Sequence, residues 1–200
     1  MTKLLIATQN QGKLREIRAI LSDPNINLLT PNDLGLVLEI VEDGQTYAEN
    51  AAKKALTYAK ASGILTLGDD SGLEVEALGG APGIYSARYS PKVGANDADR
   101  RAHLLQNLAG KPRPWKARFY AAVAIASPEG DVHLANGECP GEIIPEERGT
   151  NGFGYDPIFL LPELGRTMAE LDEDHKNRIS HRAHALQNIR PLLTKLLNSA

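Results

Sequence analysis

The fold is decided by the stretch ILTLGDDSGLEVEA, residues 64–77, in which two adjacent carboxylates stand between two apolar segments. Its first four residues are apolar enough for a short buried strand, and its last five alternate as a half-buried strand does. The stretch therefore predicts that Asp69 and Asp70 lie at a strand end, beside the turn Ser71-Gly72. Neighbouring strand residues point to opposite sides, so we expect Asp70 to face a site and Asp69 to support the turn or the loop.

A strand, a turn and a helix are also predicted at the start of the chain. Residues 3–8 form a short apolar run, and the apolar residues of segment 11–22 recur at helical spacing. A second helix is predicted to begin at Thr46, because Thr46 and Glu49 match a capping box, and to run to Gly63. The first half of the chain thus combines single strands with helices.

The second half of the chain changes its pattern. A helix that ends at Gly110 is followed by segment 116–125, which alternates, and by segment 132–135, which returns after a turn. These two segments predict a β-hairpin. A helical pattern begins near residue 174, and Pro191 is expected to bend or split that helix. Helices together with single strands and a hairpin predict an α/β fold with a mixed sheet rather than a purely parallel one.

The composition is that of a globular protein. The chain has 200 residues, of which 42 % are hydrophobic and 24 % charged, and one domain over residues 1–200 is expected. The single cysteine cannot form an internal disulfide, and no leader and no membrane-spanning run of roughly 20 apolar residues is recognised, so we expect a cytoplasmic protein with no membrane role. A net charge of −3 argues against nucleic acid as the partner and favours a small molecule.

The polar turn between the first strand and the first helix is a candidate phosphate-binding site. A helix N-terminus offers free backbone N–H groups and a positive dipole end, and a lysine adds a cation. The alternative is that Asn10 only caps the helix while Lys13 is solvated. The candidate residues are Thr8, Gln9, Asn10, Gln11, Gly12 and Lys13.

Asp69, Asp70 and Glu42 are candidate groups for a metal-dependent centre. Adjacent carboxylates repel each other unless a cation or a basic group lies near, and hard oxygen ligands suit a Mg²⁺ ion that bridges to phosphates. The alternative is that the two aspartates only form the turn that follows them.

The predicted second helix carries a further candidate for phosphate binding. Asn50 and Lys54 are four residues apart and therefore lie on one helix face, with Glu49 and Lys53 on the adjoining face. Lys54 can then reach a phosphate. The alternative is that the face carries only a surface ion pair between Glu49 and Lys53.

Segment 152–157, GFGYDP, is a candidate for contact with a flat ligand. Its two glycines let the backbone approach a ring closely, and Phe153 or Tyr155 can stack on a base. The alternative is a structural turn.

Lys176 and the triplet Ser180-His181-Arg182 carry donors that can bind the O6 atom of a purine. His181 and Arg182 are about 100° apart around a helix, so we do not expect both to point into the core. The alternative is a solvated cationic helix face.

Six segments in this order resemble the inosine triphosphate pyrophosphatase family, also called the dITP/XTP pyrophosphatases. The resemblance covers nearly the whole chain, with Tyr47 standing where phenylalanine is common in the family. The six segments are residues 8–13, 49–55, 69–73, 79–89, 152–157 and 179–182.

The resemblance implies the hydrolysis of ITP, dITP and XTP to the monophosphate and pyrophosphate, with Mg²⁺ as cofactor. It further implies a homodimer whose subunits have an elongated mixed sheet flanked by helices, in two lobes with the active-site cleft between them. A 6-keto purine presents an acceptor at O6 where adenine presents a donor, so donors from His181 and Arg182 would select the former. The alternative function is a purine nucleotide-binding or regulatory module without catalysis.

The resemblance also assigns roles to residues. Asp70 would be the general base, and Glu42 and Asp70 would hold the metal, although Glu39 and Asp43 offer other carboxylates in the same acidic segment. The phosphates would be bound by Thr8, Gln9, Asn10, Gln11, Gly12, Lys13, Lys54 and Ser71. The purine would be bound by Phe153, Gly154, Tyr155, Asp156, Lys176, His181 and Arg182.

Overall fold

A computed structural model describes residues 2–199, with side chains up to residue 197. These residues form a seven-stranded sheet in the order β2-β1-β3-β4-β5-β6-β7. Strand β1 pairs in parallel with β2 and β3, whereas β6 pairs antiparallel with β5 and β7. The predicted mixed α/β sheet is therefore confirmed. The strands are β1 (Thr2–Ala7), β2 (Ile26–Leu29), β3 (Thr66–Val75), β4 (Trp115–Ala126), β5 (Val132–Ile143), β6 (Phe159–Leu161) and β7 (Arg166–Thr167).

Helices flank this sheet, and the first two begin where the sequence predicts. Thr46 caps its helix by accepting a hydrogen bond from the Glu49 N–H, 3.1 Å away. The Glu49 carboxylate, however, accepts from the N–H of Gln45 rather than from that of Thr46, so only half of the predicted capping box forms. The helices are α1 (Gln11–Ile20), α2 (Tyr47–Ser62), α3 (Asp97–Leu108), α4 (Glu173–Ile179) and α5 (His181–Ser199).

Strand β3 corrects the prediction of a turn after the aspartates. It is one strand of 10 residues, and Asp69 and Asp70 lie inside it. Its pairing with β1 ends at the partners Ala7 and Gly68, while β4 is hydrogen-bonded along its other side and keeps the chain extended. The aspartates therefore stand just past the end of β1, where the β1 side of the strand is no longer paired.

The C-terminal helical region corrects a second prediction. The break falls at Ser180, which has extended dihedral angles (φ −72°, ψ 157°) and separates α4 from α5. Pro191 lies inside α5, which continues to Ser199, so the predicted split is wrong and the predicted bend stays a prediction. A proline in a helix interior removes one hydrogen bond and its ring crowds the carbonyl four residues earlier, but the remaining hydrogen bonds can carry the helix past it.

Two compact units can be distinguished along the chain, and each has its own apolar core. Unit 1 comprises the chain up to Asp70, Ala121–Gly137 and the chain from Arg182. Unit 2 comprises Ser71–Tyr120 and Glu138–His181. The β4–β5 hairpin is confirmed, although β5 extends well beyond the predicted segment.

The core of unit 1 joins α1 and α5 to the sheet through Ile6, Ile17 and Leu186. The core of unit 2 joins α3 to the sheet through Leu104 and Phe159. Within residues 2–199, no helix is both long and apolar enough to cross a bilayer.

Candidate active site

Unit 1 gathers the predicted acidic and basic residues into one group, here called the carboxylate–lysine cluster. The first turn of α1 supplies one lysine, the second turn of α2 supplies the other, β3 supplies two aspartates, and the segment before α2 supplies a glutamate. Its members are Lys13, Lys54, Asp69, Asp70 and Glu42.

Asp70 and Glu42 converge on the same cation. The Lys54 Nζ atom lies 2.8 Å from Oε1 of Glu42 and 3.4 Å from Oδ1 of Asp70. Two carboxylates that share one ammonium group are a donor set that suits a divalent cation, because the rest of its coordination shell can come from phosphate and water. Asp43 pairs instead with Lys53 at the surface. Glu42 and Asp70 therefore lie close to one point, whereas Asp43 binds Lys53, the lysine that the alternative interpretation had paired with Glu49.

Asn50 fixes the other oxygen of Asp70. Its Nδ2 atom donates to Oδ2 of Asp70 over 3.2 Å, and its own Oδ1 accepts from the N–H of Gly44. Asn50 and Lys54 therefore act from one face of α2, as their spacing predicts. Asn50 is almost fully buried, and the sequence analysis gave it no role in the site.

Burial and the nearby charges act in opposite directions on the pKa values of Asp70 and Lys54. Burial raises the pKa of Asp70, and the nearby Lys54 and Lys13 only partly offset this effect. Burial would lower the pKa of Lys54, but Asp70 and Glu42 outweigh it and raise that pKa. Asp70 is consequently a stronger proton acceptor than an ordinary aspartate, beside a lysine that stays charged.

Asp69 points to a different set of partners, as strand alternation predicts. Its carboxylate accepts two hydrogen bonds from Arg182, over 3.1 and 3.3 Å, and its Oδ1 lies 2.5 Å from Nζ of Lys13. Burial alone would raise the pKa of Asp69, but Arg182 and Lys13 outweigh it and hold the pKa far below its usual range. Asp69 is therefore a permanent anion that braces Lys13.

Exposure separates the two aspartates further. The side chains of Lys13, Lys54 and Asp70 are 14 %, 11 % and 8 % exposed, whereas those of Asp69 and Arg182 are 0 % and 1 % exposed. Only the first three can meet a ligand without a rearrangement.

The Arg182 guanidinium lies among carboxylates of unit 1, and its predicted contact with the purine stays a prediction. Besides Asp69, it donates to the buried carboxylate of Glu16, so its charge is compensated inside unit 1. The sequence analysis missed Glu16. The signal was its position three residues after Lys13 on α1, which places it on the same helix face as that lysine.

The polar turn caps α1, and its binding of phosphate stays a prediction. The Thr8 hydroxyl accepts from the N–H of Asn10 over 3.2 Å, and the Asn10 side chain caps α1 by accepting from the N–H of Lys13 over 3.1 Å. The helix cap is thus present, but Lys13 is held by Asp69 and is not a solvated lysine. Gln9 and Gln11 are exposed, and Gly12 is buried beneath them.

Unit 2 holds the second candidate region, residues 152–156, here called the purine loop after the ligand that the sequence predicts for it. Asp156 lies at its centre, where its Oδ2 accepts from the N–H of Phe153 over 2.8 Å and lies 2.5 Å from Nζ of Lys176. The same ammonium lies 4.8 Å from the centroid of the Phe153 ring. Gly152 has a φ of 74°, and a Cβ atom there would meet Asp156 at 2.0 Å, so the loop closes tightly around this ion pair.

Tyr155 lies on the core side of the loop, and its predicted contact with a base stays a prediction. The ring is buried in the core of unit 2, and its hydroxyl donates to the carbonyl of Ser86 over 2.9 Å. Burial raises the pKa of this phenol well above its usual range. Phe153, which is only partly buried, is therefore the aromatic candidate of the loop.

His181 and Arg182 are both buried, which corrects the prediction that they cannot both point inward. His181 stacks on Phe119 in unit 2, with 4.9 Å between the ring centroids, whereas Arg182 reaches Asp69 in unit 1. The first turn of α5 therefore begins with two buried side chains in succession, which a helical wheel for a surface helix does not anticipate. Ser71 follows Asp70 in β3, and its contact with phosphate stays a prediction.

Comparisons with known proteins find similar proteins over nearly the whole chain. The model of the Ham1 family matches residues 4–192. The chain is 46 % identical to the dITP/XTP pyrophosphatase of Desulforamulus reducens, over 97 % of this chain and 96 % of that protein. It is 46 % identical to the dITP/XTP pyrophosphatase of Listeria monocytogenes, over 98 % of this chain and 97 % of that protein. The structure of a HAM1 protein from Coxiella burnetii superimposes with a TM-score of 0.88 at 41 % identity, and the match covers 98 % of this chain and all of that one.

Proposed function

This chain belongs to the Ham1 family, and from that membership we infer that it hydrolyses deaminated purine nucleoside triphosphates. ITP, dITP and XTP are cleaved to the monophosphate and pyrophosphate, which removes these nucleotides from the nucleotide pool. The observation that carries this conclusion is the carboxylate–lysine cluster, where Asp70, a buried carboxylate of raised pKa, lies beside Lys54. A purely binding module needs the cations of this cluster but has no use for such a proton acceptor.

The phosphates are bound, in this proposal, by the cations of the cluster and by the polar turn. Lys13 and Lys54 attract the triphosphate, and the free N–H groups at the start of α1 donate to its oxygens. The turn residues Thr8 to Gly12 and the Ser71 hydroxyl supply the remaining contacts. Asp69 keeps Lys13 in place, because it is held on its other side by Arg182.

Asp70 accepts the proton of the water that attacks phosphorus, and Lys54 stabilises the charge that develops on the phosphate oxygens. We propose that Glu42 and Asp70 hold Mg²⁺. When bound, the ion neutralises the triphosphate and lowers the barrier to attack by an anionic nucleophile. Their shared contact with Lys54 supports this assignment, since it shows that both carboxylates reach one point.

The purine is recognised, in this proposal, by residues of unit 2. The Phe153 ring stacks on the base, and Lys176 and His181 donate to O6. Asp156 holds Lys176 in position through their ion pair. An adenine would leave these donors facing its amino group, and an unmatched buried donor costs about 1–3 kcal/mol.

The product distinguishes this function from its alternatives. Purified protein incubated with Mg²⁺ and XTP, dITP or ITP should release pyrophosphate, with GTP and ATP cleaved far more slowly, and chelation of the metal should stop the reaction. Release of orthophosphate, or a preference for ATP, would contradict the inference. Tight binding of XTP without any product would instead identify a binding module.

We also propose that the chain acts as a homodimer in the cytoplasm. The resemblance of the six segments to the pyrophosphatase family supports both proposals. Light scattering coupled to gel filtration tests the dimer, and a mass of one chain at all concentrations would contradict it.

A further inference from the structure

The backbone of Gly154, in the middle of the purine loop, is hydrogen-bonded through both its N–H and its carbonyl by one helix. Its N–H donates to Oδ2 of Asp97 over 2.8 Å, and its carbonyl accepts from Nη1 of Arg101 over 2.8 Å. Both side chains belong to α3, and all three residues lie in unit 2. Gly154 has a φ of 63°, in the left-handed region that favours glycine.

Asp97 and Arg101 bind other residues of unit 2 rather than each other. Residues four apart on a helix with opposite charges commonly form an ion pair. Here, Oδ1 of Asp97 binds Arg100 over 2.6 Å, while Nε and Nη2 of Arg101 bind Glu147 in a bidentate pair over 2.8 and 2.9 Å. Each side chain is therefore fixed by a second partner. Asp97 is left with Oδ2 and Arg101 with Nη1 to bind the backbone of Gly154.

The position of Gly154 determines where its neighbours point. Tyr155 is anchored in the core through its hydroxyl, and Phe153 is tied to Asp156 through its backbone N–H. Between these anchors, the backbone of Gly154 is hydrogen-bonded by α3. Gly154 directly follows Phe153, whose ring lies 4.8 Å from Nζ of Lys176, so the backbone conformation at Gly154 helps to set the path of the chain beside that ring.

We propose that Asp97 and Arg101 are positioning residues for purine recognition, which hold the purine loop in the form that receives the base. This inference rests on the proposed function, because it takes the loop as the base-binding element. It assigns to α3 a role in substrate selection, although neither residue needs to touch the substrate.

Asp97→Ala and Arg101→Ala should weaken binding of inosine monophosphate about fivefold to tenfold, as expected for the loss of one hydrogen bond that orders a binding loop. With XTP, KM should rise by a similar factor while kcat changes less than about twofold. The inhibition constant of tripolyphosphate, which has no base, should stay unchanged, because the cations of unit 1 are untouched. Calorimetry with inosine monophosphate and steady-state kinetics give these values.

Two further variants separate positioning from folding. Asp97→Asn keeps an oxygen that can accept from Gly154 and should restore wild-type binding, although it loses the same charge as Asp97→Ala. Arg118→Ala removes an arginine that also binds two carboxylates of unit 2, Glu74 and Glu138, both outside the purine loop. This variant should bind inosine monophosphate normally.

Unchanged binding of inosine monophosphate in Asp97→Ala would overturn the inference, as would an equal loss of tripolyphosphate binding. Failure of the wild type to cleave XTP would instead overturn the proposed function. Calorimetry would still decide the role of α3 in that case, since it needs no turnover.

Discussion

The carboxylate–lysine cluster of unit 1 and the purine loop of unit 2 are built in opposite ways. In the cluster, charged side chains hold each other, so that Asp69 sits between Lys13 and Arg182. In the loop, side chains bind the backbone, since Asp97 and Arg101 form hydrogen bonds with the N–H and the carbonyl of Gly154. Under the proposed function, the first region places charge for phosphate chemistry, and the second region places a surface for base recognition.

The largest expected effect comes from removing Asp70, the proposed proton acceptor of the carboxylate–lysine cluster. Asp70→Asn keeps the shape of the side chain but removes the base, so kcat for XTP should fall about 10³-fold, in the range found for general bases. Binding of inosine monophosphate by the purine loop should persist. Pyrophosphate release and calorimetry measure the two quantities.

Asp43→Asn is the matched control for this variant. Asp43 belongs to the same acidic segment as Glu42 but pairs with Lys53 at the surface, so turnover should stay within about twofold of the wild type. A large loss in this control would move the metal ligand from Glu42 to Asp43.

The next effect tests whether the cluster depends on charge for its stability. Arg182→Met leaves Glu16 and Asp69 buried with less compensation, and should lower the free energy of unfolding by about 3–5 kcal/mol. Arg118→Met, which removes half-exposed ion pairs in unit 2, should cost at most about 1 kcal/mol. Urea denaturation compares the two, and equal costs would show that burial of the network adds nothing.

A smaller effect is expected at Gly68, where strand β3 lies close to the backbone of α2. A Cβ atom at Gly68 would lie 2.3 Å from the carbonyl oxygen of Ala51 and 2.9 Å from the nitrogen of Ala55, both in α2. Gly68→Ala should therefore separate β3 from α2, lower the free energy of unfolding by about 1–3 kcal/mol and reduce turnover, because Asn50 and Lys54 would move away from Asp70. An unchanged urea midpoint would contradict this packing.

The smallest expected effect tests whether the surroundings of Cys139 in unit 2 exclude water. Burial raises the pKa of Cys139 to about 11 from its ordinary value of 9.0. The thiol therefore stays protonated in the folded chain where the unfolded chain loses its proton. The unfolded state binds fewer protons, so stability falls as pH rises through this interval.

Between about pH 8 and about pH 10, the free energy of unfolding should accordingly fall by about 1 kcal/mol more in the wild type than in Cys139→Ala. Urea denaturation at the two pH values measures this difference. The same change in both proteins would show that the thiol is not shielded from water.

Much of the site could be predicted from local sequence. The opposite directions of Asp69 and Asp70 follow from strand alternation, and the shared face of Asn50 and Lys54 follows from the helical repeat. Tyr155 could not be placed in this way, because a tyrosine in a glycine-rich loop has no periodic neighbours that show whether it is buried. The turn expected after Asp70 failed for a related reason, since pairing with β4 outweighs the turn preference of Asp-Ser-Gly.

The sequence by itself determined the helices, the hairpin and the order of the charged segments, because caps and apolar periodicity act over a few residues. Only the tertiary structure decided which charges meet. Arg182 binds Asp69 across 113 positions of the chain and Glu16 across 166. A buried charge must find a counter-charge wherever packing brings one, and local sequence patterns carry no information on a partner so far away along the chain.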